Sequence, residues 1–297
     1  MRVYFDDFLL KHYSFGPDHP TKVERAANAL RLIRETYGLE PEVLPMRIAE
    51  PEELCEIHSS TYVLSVHDGE CSEWSGCDTE MADACAKIAG AGIDAAEAII
   101  SGDVDKVFSP MGCKHHAHRD RASGFCVFND AALAAKKFVD AGMKVLYLDW
   151  DAHHGDGVEA LTRDMPSVMT ASIHQLPLFP WTGTEHDPDH QVFNYPLPPG
   201  SDGSALLRSV GDALDRAASF EPDVMILAAG ADGHTTDPLA DLRYELSDFE
   251  EAARQVRLFS DKHCKGRIYI GGAGGYNPED STPQVYAAVY AVLDEDG

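Results

Sequence analysis

Val145-Leu146-Tyr147-Leu148-Asp149-Trp150-Asp151-Ala152-His153-His154-Gly155-Asp156-Gly157 is an apolar run that breaks abruptly into acids, imidazoles and glycine. A short, continuous apolar run without alternation suits a strand covered on both faces, as in a parallel sheet. Two other stretches repeat the form. Val224-Met225-Ile226-Leu227-Ala228-Ala229 leads into Gly230-Ala231-Asp232-Gly233-His234, and Arg267-Ile268-Tyr269-Ile270 leads into Gly271-Gly272-Ala273-Gly274-Gly275-Tyr276-Asn277. Working outward, strands are predicted at residues 3–5, 42–44, 106–109, 145–149, 167–172, 224–229 and 267–271, and helices at 22–36, 80–100, 130–140, 204–218, 247–263 and 283–293. Leu206, Leu207, Val210, Leu214 and Ala217 form the apolar stripe of one helix, and Ser247 with Glu250 reads as a capping box for another. Strands alternating with helices specify an α/β fold with a doubly wound sheet covered on both faces.

No repeat, Gly/Ser linker or low-complexity tract divides the 297 residues, so one domain spanning 1–297 is expected. Apolar residues at 44% and charged residues at 25% match a soluble globular chain and exclude fibrous and disordered classes. The longest apolar run, residues 224–229, is far shorter than the roughly 20 residues of a membrane span, so no membrane association is expected. Met1-Arg2-Val3-Tyr4-Phe5-Asp6-Asp7 lacks the apolar core of a secretory signal, which points to the cytoplasm. Seven cysteines without a C-x-x-C pair are then expected to be reduced packing residues. Lys and Arg number 24 against 50 Asp and Glu, a net charge of −26. Such a field repels nucleic-acid phosphate and can concentrate cationic substrates; a solvated acidic coat explains the same excess.

Ligands of open α/β sheets bind beyond the carboxyl ends of the strands, which is where these polar residues fall. Asp151 and His153 stand two apart after one strand and point the same way if the chain stays extended. Asp232, after a second strand, can supply a third ligand. An isolated Asp-x-His is usually incidental, but residues 149–156 hold three aspartates and two histidines, which is costly after a buried strand unless they are coordinated or hydrogen-bonded. Two carboxylates and one imidazole with an open position resemble a catalytic zinc site more than a closed structural one. The same donors accept Fe²⁺, Co²⁺ or Mn²⁺.

Lys114-His115-His116-Ala117-His118 follows the strand at 106–109. Adjacent histidines beside a metal can take a proton from an attacking water and return one to a leaving amine. Asp149 and Asp156 are the natural partners for their far ring nitrogens. With Lys114, Arg119 and Arg121, the same histidines can equally form an exposed basic loop. Glycines at 271, 272, 274 and 275 do not make the G-x-G-x-x-G of a dinucleotide site, and Pro278 hinders the helix start such a site needs. They can let Tyr276 reach the crevice and donate to an oxyanion. The plain alternative is a core tyrosine with a satisfied hydroxyl.

From Pro17-Asp18-His19-Pro20 through Tyr276-Asn277 the sequence resembles the zinc-dependent histone deacetylase family, which includes acetylpolyamine amidohydrolases and acetoin-utilisation proteins. The segments that carry the resemblance are His115-His116-Ala117, Gly124-Phe125-Cys126-Val127-Phe128-Asn129-Asp130, and residues 149–157, 230–239 and 271–277. It implies a three-layer α/β/α arginase/deacetylase-like fold around a mostly parallel, about eight-stranded sheet. Asp151, His153 and Asp232 would hold Zn²⁺, with Fe²⁺ or Co²⁺ as alternatives. His116 with Asp156 would be the general base, His115 with Asp149 the second histidine pair, and Tyr276 the group that polarises the carbonyl. Phe125 and Phe179 would wall a substrate tunnel that Gly124 and Leu239 also line, suited to a methylene stem whose burial is worth roughly 0.8 kcal/mol per CH₂. Asp149, Asp151, His153, Ser172 and the Ile173 carbonyl would hold a structural K⁺ or Na⁺, and Arg25 would line an internal product channel.

Three places depart from the family pattern. Asp68-Gly69-Glu70-Cys71-Ser72-Glu73-Trp74 is short and acidic with no motif that aligns, Leu239 stands where polyamine-selective relatives place a glutamate, and Trp181 replaces a usual glycine and is expected to narrow or reshape the tunnel mouth. The implied activity is hydrolysis of an acetyl or short-acyl amide on a lysine-like or polyamine-like amine, the acetylated amine being the partner and homo-oligomerisation being left open. An arginase-type ureohydrolase, which needs a second metal, and a non-catalytic acyl-ligand binding protein are the alternatives. The single ligand set weighs against the first, and His115, His116 and Tyr276 against the second.

Overall fold

The computed structural model describes residues 1–295. Its strands are β1 (Arg2–Tyr4), β2 (Glu42–Leu44), β3 (Lys106–Ser109), β4 (Val145–Asp149), β5 (Val168–Gln175), β6 (Val192–Leu197), β7 (Val224–Ala228) and β8 (Ile268–Gly271). They form one eight-stranded sheet in the order β2-β1-β3-β8-β7-β4-β5-β6, with every neighbouring pair parallel. The helices are α1 (Asp7–His12), α2 (Glu24–Glu35), α3 (Pro51–Leu54), α4 (Ser60–His67), α5 (Thr79–Ser101), α6 (Asp130–Asp140), α7 (Asp156–Thr162), α8 (Gly203–Phe220), α9 (Leu246–His263) and α10 (Ser281–Asp294). In one layer α2, α10, α9 and α8 pack in series; in the other α5 packs on α6 and α6 on α7. This is the expected three-layer α/β/α arrangement.

Strands β4, β5, β7 and β8 are buried along their whole length, because helices cover both faces; most of their side chains are apolar, and polar ones such as Asp149, Ser172 and His174 are hydrogen-bonded. Their register aligns the carboxyl ends in one row: Ser109 pairs with Gly271, Gly271 with Ala228, Ala228 with Asp149, and Asp149 with Ser172. Whatever follows each strand therefore emerges at one edge of the sheet. Side chains that bond free N–H groups fix the helix starts, with Asp78 accepting from Met81, Asn129 from Ala132 and Asp202 from Ser204 and Ala205.

Several local expectations are corrected. Strand β6 carries no signal of its own, since it lies at the sheet edge, contains Pro196 and buries only its first three residues. Helices α1, α3, α4 and α7 are at most eight residues long, too short to show a helical period. Strand β5 runs on to Gln175, beyond its expected end at 172. The capping box of α9 is Glu245 with Asp248, not Ser247 with Glu250, because Glu245 is the last extended residue before the helix. All seven cysteines are free, and Cys85, Cys113, Cys126 and Cys264 are buried. No helix among the described residues is long and apolar enough to cross a membrane.

Candidate active site

Four adjacent strands, β3, β8, β7 and β4, deliver the site. Asp151 and His153 follow β4, Asp232 follows β7, and the three buried side chains place their ligand atoms within 4.8 Å of one another. His153 Nδ1 lies 3.1 Å from Asp151 Oδ1 and 2.8 Å from Asp232 Oδ2. Backbone N–H groups pin both acids: Gly274 donates to Asp151 Oδ2 at 2.6 Å and Ala152 to Asp232 Oδ1 at 2.8 Å. Glycine at 274 is required by this approach, since a Cβ there would stand 2.5 Å from both Asp151 Oδ2 and Asp232 Oδ2. Burial and the Asp151 charge push the Asp232 carboxyl up, while burial of Asp151 is outweighed by His115 and His153, which hold it down.

The loop after β3 supplies the histidines. His115 Nδ1 is 2.8 Å from Asp149 Oδ2, which also accepts from the Tyr147 hydroxyl at 2.6 Å. His116 Nδ1 is 2.7 Å from Asp156 Oδ1. The second oxygen of Asp156 takes His118 Nε2 at 3.0 Å, an interaction sequence reasoning missed although His118 stands in the same run. The two rings of the pair lie 4.0 Å apart. Burial opposes a charge on each: Asp149 and Asp151 outweigh it and hold His115 at about 9, whereas burial and the neighbouring His115 drive His116 down to about 3. These histidines are buried, not part of an exposed basic loop.

Tyr276 enters from the loop after β8. Arg25, buried in α2, donates to the carbonyls of Gly275 at 2.6 Å and Ala273 at 2.8 Å and so clamps that loop. Burial, then the charges of Asp151 and Asp232, keeps the Tyr276 hydroxyl protonated by raising its pKa well above the usual value. A cavity of about 340 Å³ is lined by His116, Gly124, Phe125, His153, Leu178, Phe179, Leu239 and Tyr276. All four residues expected to line a tunnel are thus brought together, and Leu178 joins them with no sequence signal beyond its apolarity. Gly124 has a φ of +53°, and a Cβ on it would meet His116 at 2.5 Å and Phe179 at 2.8 Å. Phe125 is fixed by its backbone N–H, which donates to Glu73 Oε2 at 3.2 Å, so the acidic segment that carried no motif supports the cavity wall. Ser172 is the register partner of Asp149, and its Oγ meets His174 Nδ1 at 3.0 Å. Ile173 follows it in β5, so of the five residues implied for a monovalent cation, Asp149, Asp151 and His153 belong to the acid–histidine cluster and Ser172 and Ile173 lie on the neighbouring strand.

Fold and site together define an α/β protein whose parallel sheet ends in a buried Asp–His–Asp cluster beneath an aromatic-walled cavity. The histone deacetylase domain matches residues 19–293, and the chain belongs to that family. It is 32% identical over 305 residues to the acetoin utilization protein AcuC of Bacillus subtilis (strain 168), across 94% of this chain and 78% of that protein. It is 29% identical over 309 residues to a probable deacetylase of Archaeoglobus fulgidus, across 98% and 85% of the two chains. The crystal structure of the HDA15 HD domain superposes with a TM-score of 0.86 at 27% identity, covering 99% of this chain and 91% of that one.

Proposed function

We propose that this chain is a metal-dependent deacetylase that hydrolyses the acetyl or short-acyl amide of a lysine-like or polyamine-like amine. One observation carries this function: two aspartate-backed histidines and Tyr276 converge on the Asp151–His153–Asp232 cluster beside an apolar cavity. The donor set fits a divalent ion: ligand atoms about 2.0–2.2 Å from zinc stand about 3.3–3.6 Å apart in a tetrahedron. The separations of 2.8 and 3.1 Å around His153 Nδ1 fall just short of that range, and small side-chain rotations open them to it. Asp151, His153 and Asp232 would hold Zn²⁺, or Fe²⁺ or Co²⁺ on the same donors. The ion supplies, when bound, Lewis acidity toward the amide oxygen and a lowered pKa for the attacking water.

The protein's own groups do the rest. Phe125, Phe179, Leu178 and Leu239 enclose an apolar stem, and Gly124 leaves room for it. Tyr276 donates its hydroxyl proton as a hydrogen bond to the amide oxygen as negative charge builds there. His116 faces the cavity; with its Nδ1–H held by Asp156, its Nε2 is free to take the water's proton and later return it to the leaving amine. His115, behind it, is held by Asp149 as the second histidine of the pair and does not line the cavity. A structural K⁺ or Na⁺ belongs to the same proposal, at Asp149, Asp151, His153, Ser172 and Ile173. The test is release of the free amine and its carboxylate, acetate from the acetyl substrates and the longer acid from the longer ones, by protein loaded with Zn²⁺, Fe²⁺ or Co²⁺ acting on acetyl-lysine peptides, acetylated putrescine, cadaverine and spermidine, and longer acyl-lysines. Release from at least one class is expected; none from any, with the metal site filled, overturns the proposal.

A further inference from the structure

Trp181 is 69% exposed, more than any other large hydrophobic residue described. Its φ is +60°, in the left-handed region that disfavours bulky side chains. Fold stability explains neither feature, since the ring's aromatic contact is one edge-on approach to Phe179, 5.6 Å between centroids at 78°. The loop nonetheless holds it firmly. The Trp181 N–H donates to the Leu178 carbonyl at 2.8 Å, Thr182 Oγ1 meets His154 Nδ1 at 2.8 Å, and His174 Nε2 donates to the Gly183 carbonyl at 2.9 Å. Phe179 lines the cavity, so the anchored backbone carries the indole as a platform just outside it. Strain and exposure kept together beside a binding cavity point to a ligand.

The surroundings indicate which chemistry the platform meets. Thr182, Thr184 and Glu185 next to it are exposed and polar, so Trp181 is not part of an apolar docking patch. Across the cavity, Phe125 is also left-handed, at φ +65°, and holds the Glu73 carboxylate against its N–H. The chain's net charge of −26 draws cations to the whole surface. An indole face is the best aromatic partner for an ammonium or guanidinium group. Resting on the deacetylase reading above, we propose that Trp181 determines specificity by stacking a positive charge that the substrate carries beside its acylated amine, outside the cavity.

Two acetyl-lysine peptides that differ only in the next residue, arginine or uncharged, near-isosteric citrulline, test this in about 0.5 M salt, where distant charges are screened within roughly 4–5 Å. The wild-type protein should favour the arginine peptide by about 3- to 5-fold, in KM and not in kcat, the size of an exposed cation–π contact. Trp181→Leu should erase the ratio and Trp181→Phe should keep part of it. Trp181→Gly, for which a left-handed backbone costs nothing, should behave as leucine does and guards against a strained loop in that variant. A wild-type ratio of one, or a ratio unchanged in the leucine and glycine variants, overturns the proposal. Calorimetric titration of the same two peptides gives the ratio as Kd without turnover. A protein that binds with this preference but releases no acetate therefore defeats the deacetylase reading and supports the role of Trp181.

Discussion

Asp237 Oδ2 accepts a 2.7 Å hydrogen bond from the backbone N–H of Tyr276. Its other oxygen accepts from the N–H of Leu239 at 2.9 Å, so one buried carboxylate sets both a cavity wall and the loop that carries the tyrosine. Burial pushes this acid up to about 6, leaving it largely ionised at neutral pH, when both bonds are charge-assisted. In Asp237→Asn one of the two N–H groups faces an amide NH₂. The expected loss is about tenfold in kcat/KM with the fold intact, in line with one charge-assisted bond. Steady-state kinetics beside circular dichroism check it, and unchanged kinetics would remove Asp237 from the positioning of Tyr276.

Tyr276→Phe keeps the ring that packs edge-on against Phe125 and His153 and deletes only the hydroxyl. Turnover should fall by about 10²–10³ while folding and metal content stay the same, as when a single oxyanion donor is removed. Metal analysis and initial rates on the same preparation decide between a lost donor and a damaged site.

Metal loading should raise Tm, since an ion that binds only the folded chain adds about 4 kcal/mol at a thousand times its Kd. Gly274→Ala drives a methyl group between Asp151 and Asp232, whose outer oxygens are fixed by the backbone. That variant should lose most of the Zn²⁺-dependent rise. Scanning calorimetry with chelator and with Zn²⁺ measures both; an equal rise in the variant would show that the ion sits elsewhere.

Acid should weaken the fold through His58. Its Nδ1–H donates to the His118 carbonyl at 2.8 Å and its Nε2 accepts from the Asn129 N–H at 3.1 Å, an arrangement that requires the neutral ring. Burial drives its pKa down to about 4, against about 6.5 in an unfolded chain. Between these values the unfolded state binds the extra proton. The stabilisation from the neutral ring is therefore complete above about pH 6.5 and falls as pH drops toward 4, by up to about 3 kcal/mol. His58→Gln can keep both hydrogen bonds without titrating, so its urea-unfolding free energy should decline less over that window than the wild-type value. Parallel declines would assign the acid sensitivity to other groups.

Much of this protein was legible along the chain. Seven of the eight strands and the six long helices are local, because an apolar run or a helical stripe is written within a dozen residues and burial selects for it directly. The dense acids and histidines after β4 were equally visible, since polar groups at a buried strand end need partners. Edge strand β6 and the short helices were not, because their conformations are imposed by neighbours.

Tertiary structure alone decided what faces what. His153 and Asp232, 79 residues apart, meet because parallel register brings the ends of β4 and β7 level. The support of Phe125 by Glu73, the anchoring of Tyr276 by Asp237 and the exposure of Trp181 depend on loops from different strands packing at one sheet edge. No periodicity encodes such contacts: hydrophobic pattern is a property of neighbouring residues, whereas a cavity exists only once distant segments have closed around it.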